Sequence, residues 1–112
     1  MDCVFCKIVE GVIPSNKVYE DDIMMAFHDI EPQSPVHIGM TPKEHIESAN
    51  AINEDNSKII AHIFSKVPEI AKSVGLDNGY RVVTNCGPDG RQSVFHIHFH
   101  LLGGKQLNTQ MA

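Results

Sequence analysis

Three histidines alternate with apolar residues in the segment HIHFHLL, residues 96–102. A β-strand points successive side chains to opposite faces, so His96, His98 and His100 would share one face while the intervening apolar residues point into a core. Neighbouring histidines on such a strand lie roughly 6.6 Å apart. One small ligand cannot touch all three equally, so we expect the middle histidine, His98, to meet a substrate and the outer two to support it.

The chemistry of this segment follows from the imidazole group. Its ordinary pKa of about 6.5 leaves a large neutral fraction near neutral pH, and neutral imidazole is a nucleophile that needs no separate base. Attack of His98 on phosphorus would give a phosphohistidine-type adduct that water can cleave. His96 and His100 would donate to phosphate oxygens or to main-chain carbonyls. Two other readings stay open: a shared metal ion, or a surface strand on which histidine is merely tolerated.

A second group of reactive residues lies near the start of the sequence. Cys3 and Cys6 are three residues apart and would share one face of a helical turn. The chain has three cysteines, an odd number without a disulfide framework. In a reducing compartment a Cys-x-x-Cys pair indicates metal or redox chemistry, although two small buried thiols would look the same.

The composition restricts the class of protein. The 112 residues are 42% hydrophobic and 21% charged, which predicts one domain over residues 1–112. The net charge is −5, and the nine basic residues are scattered, which argues against binding nucleic acid. We find no signal peptide or apolar membrane-spanning run, so we expect a cytoplasmic protein with no membrane partner.

The pattern of the chain predicts a mixed α+β protein. Apolar residues recur at helical spacing over 55–75, whereas VYEDD, residues 18–22, suggests a turn. Short connections favour antiparallel pairing of the strands. The predicted elements are a helical turn at 3–10, strands at 24–27, 36–40, 80–85 and 94–102, and the helix at 55–75.

Several motifs together resemble the histidine triad (HIT) family, most closely its Hint-type branch of nucleotide-binding proteins. They are FCKIVEGVIPS, VYEDD, AFHDIEPQSPVH, GYRVV and GRQSVFHIHFHLLGG. The resemblance implies an α+β fold with a five-stranded antiparallel sheet and two main helices, and a homodimer that joins two such sheets. It also implies hydrolysis of purine nucleoside phosphoramidates, such as adenosine monophosphoramidate, to a nucleoside monophosphate and an amine. His98 would carry the nucleotide covalently.

The resemblance also assigns residues to the base and the ribose of an AMP- or GMP-type ligand. Asp29 matches the acid that binds the ribose hydroxyls, and a carboxylate suits a diol because it accepts two hydrogen bonds. On its own, Asp29 would equally begin a turn. The slot for the base would be formed by Phe5, Ile8, Phe27, His28 and Ile30, which without the resemblance would be core or strand residues.

The phosphate would lie against the glycine-rich loop CGPDGRQS. Asn85, Gln92 and Ser93 match groups around the α-phosphate, and Ser93 could donate to a phosphate oxygen or to the leaving nitrogen. An ordinary hairpin loop would have the same composition. Arg91 departs from the pattern, because this branch usually has a glycine there. It could clamp a phosphate or point into solvent.

The resemblance strengthens the prediction of a metal site that includes Cys3 and Cys6. Some bacterial HIT proteins and the related galactose-1-phosphate uridylyltransferases hold zinc with two cysteines and two histidines, which map here to Cys3, Cys6, His45 and His96. Such a closed set indicates a structural ion. By contrast, His37 and His62 are expected to be structural or surface histidines, and Cys86 is expected to be a small residue at the end of a strand.

Two alternative functions remain at this point. One is a dinucleoside polyphosphate hydrolase of the other main HIT branch, and the other is a non-catalytic nucleotide-binding regulatory module. The tail LNTQMA lacks a tryptophan that some relatives carry near the partner's active site, so the leaving-group preference is open.

Overall fold

The computed structural model of the protein describes residues 3–111, and in this part of the chain it forms one five-stranded antiparallel sheet with helices. The strand order is β1-β2-β3-β5-β4. This confirms the expected α+β class and five-stranded sheet. The elements are α1 (Val4–Val9), β1 (Lys17–Glu20), β2 (Met24–His28), β3 (Val36–Pro42), a 3-10 turn (Ala49–Ala51), α2 (Ser57–Ser73), β4 (Tyr80–Val83) and β5 (Phe99–Gly103).

The hydrophobic core lies between α2 and one face of the sheet. The predicted apolar stripe of α2 is buried there through Ile63, Val67, Ile70 and Ala71. Gly75 follows the helix with φ +81°, a left-handed conformation that glycine adopts without strain and that commonly ends helices. The sheet contributes Met24, Ala26, Ile38, Met40, Phe99 and Leu101 to the same core.

The predicted turn at VYEDD is wrong in its first half, because β1 spans Lys17–Glu20 and pairs with β2. The turn begins only at Asp21, whose side chain accepts the backbone N–H groups of Ile23 and Met24. A four-residue strand with a charge at each end carries too little alternation to be recognised alone. Its pairing partner, β2, makes it a strand.

The last strand was predicted from residue 94 but begins at Phe99. The ladder between β3 and β5 ends at the pair Met40↔Phe99, and the next residues of β3 pair with β2 only. His96 and His98 therefore lie just before the strand, and only His100 lies in it. Similarly, β3 continues to Pro42 rather than ending before it, and β4 ends at Val83 rather than Asn85.

No helix within residues 3–111 combines the length and the apolar character that crossing a bilayer requires.

Candidate functional site

The histidine segment is held in place by bonds outside the sheet ladder. The backbone N–H of Ile97 donates to the carbonyl of Ile46 at 2.6 Å. Thr41 Oγ1 donates to the Ile97 carbonyl at 2.9 Å, and Thr84 Oγ1 donates to the His98 carbonyl at 2.8 Å. The Ile97 side chain is buried in the core, so the backbone keeps the alternation of a strand and turns the imidazoles to the opposite face.

The hydrogen bond of His98 fixes its tautomer. Nδ1 lies 2.8 Å from the carbonyl oxygen of His96, and a carbonyl can only accept, so Nδ1 carries the hydrogen in the neutral ring. The Nε2 atom then keeps its lone pair, which is the chemical requirement for nucleophilic attack. The residue is 5% exposed, and the ring of Phe5 lies edge-on to the His98 ring at a centroid distance of 4.9 Å.

A chain of hydrogen bonds extends from His100 to residues on β3 and before it. The backbone N–H of Gln33 donates to His37 Nδ1 at 3.0 Å, so neutral His37 carries its hydrogen on Nε2. That Nε2 lies 2.8 Å from His100 Nδ1 and 3.5 Å from a carboxylate oxygen of Asp29. His100 Nδ1 is therefore an acceptor, and His100 presents an Nε2–H group.

The two hydrogen-bonded histidines, His37 and His100, are both held in the neutral form. Burial lowers the pKa of His100 to about 4, with His98 and His37 adding to the effect. Burial also lowers the pKa of His37, against the opposing charge of Asp29. The expectation that His37 is only structural missed this arrangement, because its partner lies 63 residues away.

Asp29, His37 and His100 bring ligand-type atoms within 4.8 Å of one another, yet their hydrogens do not suit a metal. A metal needs lone pairs, whereas His37 Nε2 carries the hydrogen that donates to His100. Binding an ion there would require His37 to switch tautomer and lose the bond from Gln33. The arrangement is a hydrogen-bond relay.

The position of Asp29 is compatible with both roles considered from the sequence, that of a turn residue and that of a ligand for ribose hydroxyls. One carboxylate oxygen accepts the backbone N–H of Glu31 at 2.8 Å, which is the turn-forming bond. The other faces His37, and the side chain is 28% exposed. A carboxylate has about four lone-pair directions, so it keeps acceptor capacity for hydroxyl groups of a ligand.

Two aromatic rings, those of Phe5 and Phe27, are in contact among the residues expected to bind a base. Phe5 and Phe27 pack edge to face at 5.6 Å. Gly39 on β3 permits this, because a Cβ there would lie 3.2 Å from the Phe27 ring. Phe27 is nearly buried, Ile8 is half-buried, His28 is exposed and Ile30 is 95% exposed. A large apolar side chain left this open is available to a planar ligand.

The glycine-rich loop is shaped by its own amide side chains. Asn85 Nδ2 donates to the Gly90 carbonyl at 2.7 Å. Gln92 accepts the Gly87 N–H at 3.0 Å and donates to the Glu47 carbonyl at 2.8 Å. The side-chain amides of Asn85 and Gln92 therefore stabilise the conformation of the loop through hydrogen bonds to backbone groups.

Backbone geometry explains two residues of this loop. A Cβ on Gly90 would overlap the carbonyl oxygen of Cys86. Arg91 has φ +62°, and it is the one non-glycine residue of the described chain with a positive φ. A glycine at this position would be free of that strain. The Arg91 side chain is exposed.

The four residues expected to bind zinc do converge. His96 Nδ1 lies 3.4 Å from Cys3 Sγ, 3.5 Å from Cys6 Sγ and 3.2 Å from His45 Nδ1, and Cys6 Sγ lies 3.3 Å from His45 Nδ1. A tetrahedral zinc ion with bonds of about 2.0–2.1 Å to nitrogen and about 2.3 Å to sulfur separates its ligand atoms by roughly 3.3–3.8 Å. The cluster has nearly these dimensions.

The hydrogen bonding of His96 also suits a metal ligand. Its Nε2 lies 2.8 Å from the Pro42 carbonyl and must donate to it, which leaves a lone pair on Nδ1 facing the two sulfurs. Without a cation, burial raises the pKa of the Cys6 thiol to about 11, and Cys3 adds to this. A bound metal would displace that proton. The donor set therefore fits zinc.

Ser93 lies beside this cluster. It lines a cavity of about 420 Å³ together with Cys3, His45, Glu47 and Phe95. The Ser93 side chain is exposed, so its hydroxyl is accessible from that cavity. A second cavity, of about 380 Å³, follows the glycine-rich loop and is also lined by Glu47 and Phe95.

The fold and the site together define a class: an antiparallel α+β protein that presents three alternating histidines at the end of an inner strand. The comparisons with known proteins agree. The family described as the scavenger mRNA decapping enzyme C-terminal binding domain matches residues 2–112. A histidine triad protein from Clostridium difficile is 49% identical, with a TM-score of 0.95, over 98% of this chain and 96% of that one.

Two further relatives point the same way. A HIT family hydrolase from Legionella pneumophila is 45% identical, with a TM-score of 0.93, over 96% of this chain and 97% of that one. A 14 kDa zinc-binding protein from Brassica juncea is 46% identical over 109 residues, 96% of each chain. The chain belongs to the histidine triad (HIT) family.

Proposed function

We propose that the protein is a Hint-type hydrolase of purine nucleoside phosphoramidates that works through a nucleotidyl-His98 intermediate. The observation that carries the proposal is the pair of fixed tautomers. His98 offers a lone pair on Nε2, and His100 offers an Nε2–H group beside it, with ring centroids 5.1 Å apart. A relative is named a HIT family hydrolase, which supports hydrolysis as the reaction class.

In the first step, His98 Nε2 attacks the α-phosphorus and the bond from phosphorus to nitrogen breaks. Ser93 would donate a hydrogen bond to the leaving nitrogen, which takes a proton from solvent. The His100 Nε2–H group would donate to a phosphate oxygen as its charge grows, an electrostatic effect that commonly provides the largest share of catalysis. Because His100 stays neutral, it acts as a donor of hydrogen bonds and keeps its proton.

The adduct is a cationic imidazolium, and its Nδ1–H still donates to the His96 carbonyl. That bond stabilises the positive charge. Water then attacks the same phosphorus, the bond to His98 breaks, and the nucleoside monophosphate leaves with the oxygen of that water. His98 returns to its starting tautomer, and the proton lost by the water goes to solvent.

Ligand binding would rest on residues around this centre. Phe5 and Phe27 would form the wall of the base slot, with Ile8, His28 and Ile30 at its open side. Asp29 would accept the ribose hydroxyls while its contact with His37 keeps the relay aligned. Asn85 and Gln92 would act through the loop that they hold, whose backbone amides face the phosphate.

Cys3, Cys6, His45 and His96 would hold one structural zinc ion. The ion would supply cross-linking only, since four protein ligands leave no open position for a substrate. Cys3 is the N-cap of α1 and Cys6 lies within that helix, so the ion would tie the helix to the histidine segment. The Brassica relative is named a zinc-binding protein. Metal analysis of the purified protein tests this, and a metal-free protein of full activity and stability would refute it.

A homodimer in the cytoplasm completes the proposal. The strand order leaves β1 and β4 at the edges of the sheet, and Tyr80 on β4 is 43% exposed. Pairing of two β4 edges would join the sheets of two copies. Light scattering during gel filtration should give twice the chain mass of 12.4 kDa, and a single-chain mass would refute it.

The central test is His98→Ala, assayed with adenosine monophosphoramidate. Turnover should fall to background because the nucleophile is gone, while AMP affinity should stay within a few-fold. Mass spectrometry without acid should detect a nucleotide on histidine only in the parent protein. The matched control is His62→Ala, a histidine on α2 that contacts Asp21 and should keep full turnover. Near-normal turnover in His98→Ala would rule out the mechanism.

The second candidate is hydrolysis of a dinucleoside polyphosphate. Arg91 favours this reaction, because an exposed guanidinium on the glycine-rich loop could bind an anionic leaving group. Parallel rates on diadenosine triphosphate and adenosine monophosphoramidate decide between the two. A higher kcat/KM for the polyphosphate would replace the leading proposal, and no turnover of either would favour the non-catalytic module.

A further inference from the structure

Cys3 and Cys6 are placed for reaction with each other as well as for metal binding. Cys3 precedes α1 as its N-cap, and its sulfur accepts the backbone N–H of Cys6 at 3.3 Å. All four ligand atoms of the cluster lie within 4.8 Å of one another. A disulfide requires a sulfur–sulfur distance of about 2.05 Å, so rotation of the two side chains on one helical turn could close it. Neither cysteine forms a disulfide within residues 3–111.

Phe5, one of the two residues between the cysteines, contacts His98, the proposed nucleophile. The ring of Phe5 lies edge-on to His98 at 4.9 Å, to His96 at 5.9 Å and to Phe27 at 5.6 Å. Phe5 lies two residues after Cys3 and directly before Cys6, and the sulfurs of both cysteines contact His96 Nδ1. A change that draws the two sulfurs together would therefore shift the backbone segment from Cys3 to Cys6, which carries Phe5.

We propose that Cys3 and Cys6 form a reversible disulfide whose formation weakens nucleotide binding beside His98. The oxidant is a low-molecular-weight disulfide. One cysteine attacks it and releases one thiol, and the other cysteine then attacks the mixed disulfide and releases the second thiol. The two protein sulfurs lose two electrons in total, the oxidant gains them, and the two protons of the cysteines end on the released thiols.

The disulfide would remove both sulfur donors from the cluster at once. His96 and His45 alone cannot make a closed tetrahedral set, so a bound zinc ion would be released. The contacts of Phe5 with His98 and Phe27 would be loosened. Each such aromatic pair contributes modestly, and losing both should weaken AMP binding roughly tenfold. This last effect rests on the proposed function, because it assumes that the nucleotide binds there.

The experiment uses the full chain with Cys86→Ser, which removes the only thiol outside the pair. The protein is treated with oxidised glutathione and then with a reductant. Intact mass and peptide mapping report the Cys3–Cys6 disulfide, a chromophoric chelator reports zinc release from protein loaded with zinc, and calorimetry reports AMP affinity. Cys3→Ser and Cys6→Ser in the same background are the matched controls.

We expect one internal disulfide, release of the loaded zinc and a roughly tenfold loss of AMP affinity, all restored by the reductant. The single-cysteine controls should form only mixed disulfides. Should they fail to fold, reversal by reductant in the Cys86→Ser protein still decides the matter. Absence of the internal disulfide, or unchanged AMP affinity once it has formed, would overturn the proposal. A reduced protein that never binds AMP would instead overturn the proposed function, and the coupling with it.

Discussion

Replacing His37 with leucine tests whether the relay behind His100 matters for catalysis. His37 is 6% exposed; its Nδ1 accepts the Gln33 N–H at 3.0 Å, and its Nε2 lies 2.8 Å from His100 Nδ1. Leucine has similar bulk but no polar atom. It would leave a backbone donor and a ring nitrogen without partners, and each costs about 1–3 kcal/mol when buried. We therefore expect a loss of about 2–6 kcal/mol in the free energy of unfolding.

The effect on catalysis follows from the tautomer of His100. Without a donor at Nδ1, its hydrogen can occupy either nitrogen and the ring can turn, so the Nε2–H group is no longer aimed at the phosphate. Loss of a preorganised donor to a developing oxyanion costs about 10²–10³ in kcat, and because His100 itself remains, we expect a fall of about 10–100-fold. KM should change only a few-fold, since in the proposed binding mode His37 would act on the ligand only through Asp29.

The assay is steady-state hydrolysis of adenosine monophosphoramidate, with nitrogen NMR of the His100 ring as a second readout. His37→Gln keeps an N–H donor and should recover part of kcat. His62→Leu is the matched control: it removes a histidine that contacts Asp21 at 2.7 Å, and it should lower stability without lowering kcat. A folded His37→Leu protein with kcat within twofold of the parent, or an equal kcat loss in His62→Leu, would refute the reasoning.

Three further predictions concern stability. The pKa of His100 is lowered to about 4 and that of His37 is also lowered, so the unfolded chain binds protons before the folded protein does as the pH falls. The free energy of unfolding should therefore be at its full value above about pH 6.5. Below that pH it should decline by up to about 1.4 kcal/mol per pH unit for each of these two histidines. Urea midpoints that do not fall between pH 7 and pH 5 would contradict this. Gly90→Ala should strongly destabilise the glycine-rich loop, because the added carbon overlaps the Cys86 carbonyl; amide exchange across residues 84–93 measures it, and unchanged protection would disprove the clash. Arg91→Gly should raise the melting temperature by about 2–5 °C by relieving the strain at φ +62°, which calorimetry can detect, and a lower melting temperature would show that the side chain makes a stabilising contact.

The alternation of HIHFHLL predicted the faces of the histidine segment correctly, although its first residues lie outside the strand. Ile97 and Phe99 are buried in the core as expected. An extended backbone keeps a period of two whether or not its bonds go to a neighbouring strand. The pattern therefore predicts the faces well and the end of a strand poorly.

The partners of these residues could not be predicted from local pattern. His37 and His100 are 63 residues apart, and Cys6 and His96 are 90 apart. Only the resemblance to a family linked His45 and His96 to the two cysteines. No motif marked His37, and no motif marked Gly39, where a side-chain carbon would lie only 3.2 Å from the Phe27 ring. Such contacts depend on tertiary packing.

Two threonine hydroxyls and one backbone amide connect the residues around His98 to three different parts of the chain, apart from the strand ladder. Opening this stretch breaks those three bonds and the bond from His96 Nε2 to the Pro42 carbonyl and exposes the Ile97 side chain, but it leaves the rungs of the sheet intact. Hydrogen exchange should accordingly resolve a local opening of residues 96–98 that is faster than global unfolding. Directed evolution could then alter the reactive surface by changing Thr41 or Thr84, with little loss of the scaffold beneath it.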